Sequence, residues 1–384
     1  MIYLNNAATT KDKPKEVLEA VQVFISGNNV SPGRGADRLS VEADSILTET
    51  RTSLAKLFNA EDPKQIVFTL NCSDAINTAI KGVLKPGDHV LISSIEHNSI
   101  VRPLRFLEKQ GIEVEVVPVD SKTYDIDPRA LSKRFKKNTK LVAMLHASNV
   151  IGALQPIEEI GSLTSKNGIL FLVDAAQTAG IYDIDVQKMN IDLLAFAGHK
   201  GLMGPQGTGG LYIKPGTDIE AFRHGGTGSQ SELETQPEIM PDKFETGTPN
   251  TPGIAGLKES VDFILKEGVQ KIRKHAEGLT GVLLDGLKNL EKVKIYGPLD
   301  AKKQSAVVSF NIDGMEPKIV GDILEKKFGI VVRTGLHCAP FCHKVVGTFP
   351  KGTVRISAGY YNTVSDVKAV IQAVKETALD NARA

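Results

Sequence analysis

At 384 residues the chain is too long for one compact core, so two folding units are the default expectation. Hydrophobic residues at 41%, charged residues at 24% and a formal net charge of +1 fit an ordinary globular protein and give no reason to expect nucleic acid or an anionic membrane as partner. No apolar signal-peptide core follows Met1, no apolar run reaches membrane-spanning length, and three cysteines make no disulfide framework at this size, so a reducing, cytoplasmic location is expected.

MIYLNNAATT (1–10) reads as a short strand and a turn, and Pro14 to Phe24 has helical spacing in Val17, Leu18, Val21 and Phe24. SGNNVSPGRGADR (26–38) is a polar, glycine-rich loop, and helix returns from about Leu39 to Phe58. Strand and helix then alternate. QIVFTL precedes a helix opening at Cys72-Ser73-Asp74, and HVLISS precedes a helix from Ile100 to Gln110. IEVEVVPV, KLVAMLHAS, ILFLVDAA, LLAFA and GGLYI are further apolar strands. This alternation predicts an α/β protein with a mostly parallel, doubly wound sheet covered on both faces.

Residues 224–253 are long, polar and rich in turn formers, the kind of segment that is usually functional or lies at an interface. Beyond Ile254 two helices, the strands VKIYG and AVVSFNI, the helix PKIVGDILEKKFG, the strands IVVRTG and GTVRISAG, and a last helix follow. Thr363, with Asp366 three residues on, is the expected N-cap of that helix. The implied division is a large α/β unit over 15–253 and a smaller α+β unit made by 1–14 with 254–384.

Polar residues gather at the carboxyl ends of successive strands, where open α/β sheets bind ligands. Asn71-Cys72-Ser73 opens a helix and reads either as a phosphate cradle or as a helix capped by Ser73. His97, after HVLISS, is suited to stacking on a flat ring or to a hydrogen-bonded surface role. Asn149, Asp174 with Gln177, and His199 with Lys200 follow the next strands. Lys200 and Asp174 together match what pyridoxal phosphate needs, a lysine to hold it and a carboxylate facing its pyridine nitrogen. Taken alone they read rather as a loop lysine and a capping aspartate. Five strand ends converging on one polar ligand favour the first reading.

RTGLHCAPFCHK (333–344) places Cys338 on a small-residue loop after a strand, a candidate nucleophilic or persulfide-carrying thiol. His337, Cys338, Cys342 and His343 are also zinc-type ligands, but they are too compressed for the usual spaced pairs, so no metal is expected. Arg355 suits a bidentate grip on a substrate carboxylate, or an ordinary ion pair within a strand.

In order along the chain, YLNNAATT, NCSDAIN, EHNS, SNVIGALQPI, VDAAQ, AGHKGLMGPQGTGGLYI, FETGTPNTPG and RTGLHCAP resemble the motifs of class V aminotransferase-fold cysteine desulfurases. The short RTGLHCAP loop is similar to that of the group II enzymes and the selenocysteine lyases. The resemblance implies pyridoxal-phosphate fold type I, with a seven-stranded, mostly parallel sheet, a homodimer, and an active site between the two units at the dimer interface. It also implies pyridoxal 5'-phosphate held by Lys200, paired by Asp174, bonded by Gln177 and Asn149, and stacked upon by His97. Cys72 and Ser73, His199, and Thr248 from the other subunit stand where the family binds the phosphate, and Arg355 where it binds the substrate carboxylate, near Asn149. The implied reaction converts L-cysteine to L-alanine, leaves sulfur on Cys338 as a persulfide, and passes it to an acceptor protein or thiol. L-selenocysteine is the alternative substrate, and a non-catalytic zinc- or redox-binding protein is the remote alternative.

Four positions depart from the family pattern. Asn5 stands where relatives have Asp, Cys72-Ser73 replaces Thr-Thr, and Ala197 replaces the Ser or Thr before GHK. The last removes one hydrogen bond to a charged group, worth roughly 1.5–3 kcal/mol of cofactor binding. Cys342 is an addition.

Overall fold

The computed structural model describes residues 1–33 and 37–383, so part of the 26–38 loop lies outside the described residues. The chain opens with β1 (Ile2–Tyr3), α1 (Lys15–Gly27) and α2 (Arg38–Phe58). Then come β2 (Ile66–Thr69), α3 (Cys72–Val83), β3 (His89–Ser93), α4 (Asn98–Glu108), β4 (Glu113–Val117), α5 (Pro128–Ser132) and β5 (Thr139–Leu145). They are followed by α6 (Ile157–Lys166), β6 (Leu170–Asp174), β7 (Leu193–Ala197) and β8 (Gly209–Ile213). β2 to β8 form one seven-stranded sheet in the order β2-β8-β7-β6-β5-β3-β4. Only β8 runs against its neighbours, so the sheet is the mostly parallel one that the alternation predicts.

The central strands show why the sheet is covered on both sides. Successive strand residues point to opposite faces, and β6 and β7 deliver apolar side chains both ways. Phe171, Val173, Leu194 and Phe196 enter the core shared with α2 and α6. Leu172, Leu193, Ala195 and Ala197 enter the core shared with α3 and α4. A strand without a polar face has no solvent side to lie on, so both faces acquire helices.

The remaining elements are α7 (Thr251–Glu267), α8 (Val269–Lys288), β9 (Val293–Tyr296), β10 (Val307–Ile312), α9 (Pro317–Phe328) and β11 (Ile330–Val331). After them come β12 (Arg333–Gly335), α10 (Pro340–Val345), β13 (Thr353–Ser357) and α11 (Val364–Arg383). β12-β13-β10-β9 form an antiparallel sheet, and β1 pairs in parallel with β11. Leu279, Leu283, Val320, Leu324, Val367 and Val374 pack on that sheet as a separate core. Thr363 and Asp366 bond reciprocally before α11, Thr363 N to Asp366 Oδ2 at 2.9 Å and Asp366 N to Thr363 Oγ1 at 3.2 Å. α7 packs elsewhere: its Ile254, Leu257, Val261 and Ile264 belong to the core of the large sheet. Among the described residues no helix is long and apolar enough to cross a membrane.

Candidate active site

Parallel pairing brings the carboxyl ends of β3, β5, β6 and β7 to one edge of the large sheet, and the cleft lies there. It is lined by Ser73, His97, Asn149, Asp174, Gln177 and Lys200, among others. Gly209 of β8 makes room for the start of α3, since a Cβ there would stand 2.7 Å from the Asn71 carbonyl carbon.

Asp174 closes the buried strand β6, and its side chain is 5% exposed. Oδ1 accepts from Ala176 N at 2.9 Å and from Cys72 Sγ at 3.3 Å. Burial raises the Cys72 thiol well above its ordinary value, and the Asp174 charge adds to this, so the group stays a neutral S–H donor. The sequence expects Cys72 and Ser73 to serve one phosphate. In the fold their side chains part: Cys72 is buried against Asp174, and Ser73 is exposed. Nor does Ser73 cap the helix. Asn71 does, accepting from Asp74 N, because the residue before the first helical turn is the one whose side chain reaches the free amides.

Lys200 follows β7, and burial lowers its amine below the ordinary lysine value while Asp174 opposes. Its neutral form is therefore populated at lower pH than that of an exposed lysine. His97 begins α4 rather than simply ending β3: its Nδ1 accepts from Ser99 N at 3.1 Å and caps the helix, which starts at Asn98 and not at Ile100. Ser99 Oγ sits 2.8 Å from His97 Nδ1 and 2.6 Å from Ser73 Oγ, joining two strand ends through a residue the sequence did not single out. Burial pushes the His97 imidazole down to about 4, with Lys200, Arg333 and Arg102 adding and Asp174 opposing, so it is neutral at pH 7.

Arg355, on β13, is 1% exposed. Its Nη1 donates to Asn149 O at 2.8 Å and its Nη2 to Asn5 Oδ1 at 3.0 Å, while Nε has no hydrogen-bond partner in the chain. Both partners are neutral. Burial lowers Arg355 to about 9, so it stays cationic at neutral pH. Asn149 donates Nδ2 to His337 O at 2.7 Å, and its buried Oδ1 is without a partner. Gln177 donates to Ala7 O at 3.0 Å.

Cys338 is exposed and shares a second groove with Ser73, His97, Ser99 and Arg102. Its loop holds His337 at φ 49° and Cys338 at φ 60°, left-handed conformations that residues with a Cβ rarely adopt. Such backbone persists where surroundings over-determine it. Here Asn149 Nδ2 grips His337 O, Asn98 N donates to Cys338 O at 2.8 Å, and His337 Nε2 meets Thr353 Oγ1 at 3.1 Å. The curled loop also sets Arg333 Nη2 3.6 Å from Cys338 Sγ. Sequence reading passed over Arg333, although it opens the same RTGLHCAP motif; only the left-handed turn returns the sulfur to it.

The other metal-type residues are dispersed. Cys342 is fully buried on α10, 3.7 Å from Ser148 Oγ, and burial raises its thiol to about 12. His343 Nδ1 lies 2.7 Å from Thr348 Oγ1. Among the described residues no three His, Cys, Asp or Glu side chains are grouped to hold a metal. Three other expected positions stand apart from the cleft. His199 places Nδ1 3.1 Å from Thr9 Oγ1, Thr248 is exposed, and the Ala197 side chain lies in the apolar core against α3.

Glu96, the residue before His97, is fully buried and accepts from Ser93 Oγ at 2.6 Å and Leu145 N at 3.0 Å. Burial raises its carboxyl to about 8. Below the usual carboxylate range both folded and unfolded forms are protonated; as pH rises toward 8 only the unfolded chain ionises, so stability is lost through that window. Glu96→Gln keeps the shape and removes the titration. Its urea-denaturation free energy is expected to change less between pH 5 and pH 8 than that of wild type, by on the order of 3 kcal/mol. Equal pH slopes for the two proteins would contradict this.

Against this geometry stand the known proteins. The family model for class-V aminotransferases matches residues 2–370. A probable cysteine desulfurase of Methanothermobacter thermautotrophicus is 37% identical over 98% of this chain and 94% of its own. A cysteine desulfurase of Salmonella dublin is 31% identical over 97% and 92%. Among solved structures, the apo cysteine desulfurase of Thermococcus onnurineus superposes with a TM-score of 0.92 at 35% identity, covering 99% of this chain and 95% of that one. The cysteine desulfurase CsdA of Escherichia coli gives 0.87 at 28%, covering 98% and 94%. With its parallel sheet, its strand-end lysine and aspartate, and full-length similarity of this kind, the chain belongs to the class-V aminotransferase family, among the cysteine desulfurases.

Proposed function

We propose that the protein is a pyridoxal 5'-phosphate-dependent cysteine desulfurase that converts L-cysteine to L-alanine and carries the released sulfur on Cys338 as a persulfide. One observation carries the reading: Lys200, Asp174 and His97 line one cleft, and His97 also lines the groove that holds the exposed Cys338. Class-V membership implies the cofactor, and the side chains fit it. The cleft offers an amine, a buried carboxylate, a neutral imidazole and the Asn149 Oδ1 acceptor without a partner in the chain. The N-terminus of α3, with the exposed Ser73 hydroxyl beside Ser99, suits a phosphate.

In this reading Lys200 holds the cofactor, Asp174 faces its pyridine nitrogen, and His97 covers its ring. Gln177 and Asn149 serve the ring hydroxyl. Ser73 serves the phosphate, with Thr248 of a second copy in a homodimer; His199, beside Thr9, stands outside the cleft, and Cys72 acts instead through Asp174. When bound, pyridoxal phosphate supplies an electron sink for negative charge at the substrate Cα. The neutral Lys200 amine takes the Cα proton. Cys338 attacks the substrate sulfur; the S–S bond forms as the C–S bond breaks, and the three-carbon fragment, reprotonated, leaves as alanine. Arg333 balances the charge on the attacking sulfur. A thiol or an acceptor protein then removes the persulfide. The packing of Ile254, Leu257, Val261 and Ile264 supports grouping α7 with the large unit.

Mass spectrometry of Cys338 after L-cysteine tests the reading: a gain of one sulfur with one alanine released per site is expected. Alanine without sulfur on Cys338 overturns it. Arg355 supplies the substrate's counter-charge, since its partners Asn149 and Asn5 are neutral. Arg355→Lys is expected to raise KM for L-cysteine roughly 10–100-fold, the worth of one hydrogen bond to a charged group, with the cofactor's visible band unchanged. An unaltered KM would place the carboxylate elsewhere.

A further inference from the structure

We infer that Cys72 is a positioning residue for Asp174: its thiol donates to Oδ1 and leaves Oδ2 as the oxygen presented to the cofactor's ring nitrogen. The inference deepens the proposed function and rests on pyridoxal phosphate occupying the cleft.

Three observations carry it. Asp174 Oδ1 already accepts two hydrogen bonds, from Ala176 N at 2.9 Å and Cys72 Sγ at 3.3 Å. The first comes from the chain's own next turn and the second crosses from α3, so together they fix the carboxylate about its terminal torsion. Second, Asp174 lines the cleft while Cys72 is 7% exposed and packs in the core shared by the sheet and α3. Burial and the adjacent carboxylate both keep the thiol protonated, the one state in which it donates. Third, Cys72 is the first residue of α3, whose start is held by the Asn71 cap, so the donor is anchored to a rigid element.

A thiol is a weaker donor than a hydroxyl. Sulfur at this position therefore draws off less of the carboxylate's charge than Ser or Thr would, and leaves more of it on Oδ2. The ring nitrogen then holds its proton more firmly, and the ring withdraws electrons more strongly. The donor at residue 72 sets the strength of the electron sink without touching the cofactor.

The test is a titration of the resting holoenzyme, following the visible band of bound pyridoxal phosphate against pH in wild type, Cys72→Ser, Cys72→Ala and Cys72→Val. The midpoint is expected to fall as the donor weakens, in the order Ser, Cys, then Ala with Val, over a span of about half a pH unit, less than the effect of a full neighbouring charge. Cys72→Val has nearly the volume of Thr and no donor, and it carries the comparison if Cys72→Ala does not fold. A purely structural role would set Ser and Ala together, apart from wild type. That result, or one midpoint for all four proteins, overturns the inference. A wild-type protein that takes up no pyridoxal phosphate overturns the functional reading and this inference with it, which separates the two failures.

Discussion

Lys200→Ala protein is expected to form alanine from L-cysteine at least about 10³-fold more slowly than wild type, within the range that a positioned acid–base group contributes. In the proposed mechanism two roles are lost at once, the covalent hold on the cofactor and the amine that takes the Cα proton. The second depends on Lys200 being neutral. Burial lowers its pKa, and the Asp174 charge that opposes this is not enough to restore the ordinary value. Added methylamine is expected to recover part of the rate, since a small amine can enter the space left by the deleted side chain. The melting temperature of the apo-protein is expected to change little, because the substitution removes an amine that costs energy to bury. Alanine release at the wild-type rate would show that the chemistry uses another lysine.

Cys338→Ser is the second large effect. Alanine formation from L-cysteine is expected to fall below roughly 1% of wild type, about 2.7 kcal/mol of barrier, with no sulfur retained on the protein. A hydroxyl beside Arg333 is not a comparable sulfur nucleophile, so the variant keeps the geometry and loses the reaction. The cofactor band is expected to be intact, because Cys338 is exposed in the adjoining groove and does not itself line the Lys200 cleft. L-selenocysteine separates the substrates. Selenium can leave without a persulfide relay, so its turnover is expected to survive the substitution better than that of cysteine. A variant that desulfurates cysteine at full rate would end the persulfide mechanism.

Much of the fold was legible because the buried strands announce themselves. QIVFTL, HVLISS, KLVAML, ILFLV and LLAFA are apolar on both faces, and helices must cover them. The strand-end residues were legible for the same reason: a parallel sheet puts all its carboxyl ends on one edge, so Ser73, His97, Asn149, Asp174 and Lys200 meet without any long-range information beyond strand direction. Thr363 and Asp366 were readable because a helix cap is a local matter of four residues.

Hydrogen-bond allocation was another matter. His97 caps a helix with one ring nitrogen, Cys72 turns to a carboxylate 102 residues away, and Arg355 meets Asn5 from 350 residues away. α7 looked like the start of the C-terminal unit and packs into the core of the large sheet.

By itself, then, the sequence determined the alternating architecture, the edge where the site lies and the residue types gathered there. Those properties follow from periodicity and strand direction, which neighbouring residues decide. Tertiary structure alone decided which donor serves which acceptor: that Cys72 parts from Ser73, that Arg333 stands against Cys338, and that Arg355 keeps neutral partners. The physical reason is range. A hydrogen bond forms only within about 3 Å and over a narrow cone, so its partner is fixed by where distant segments come to rest.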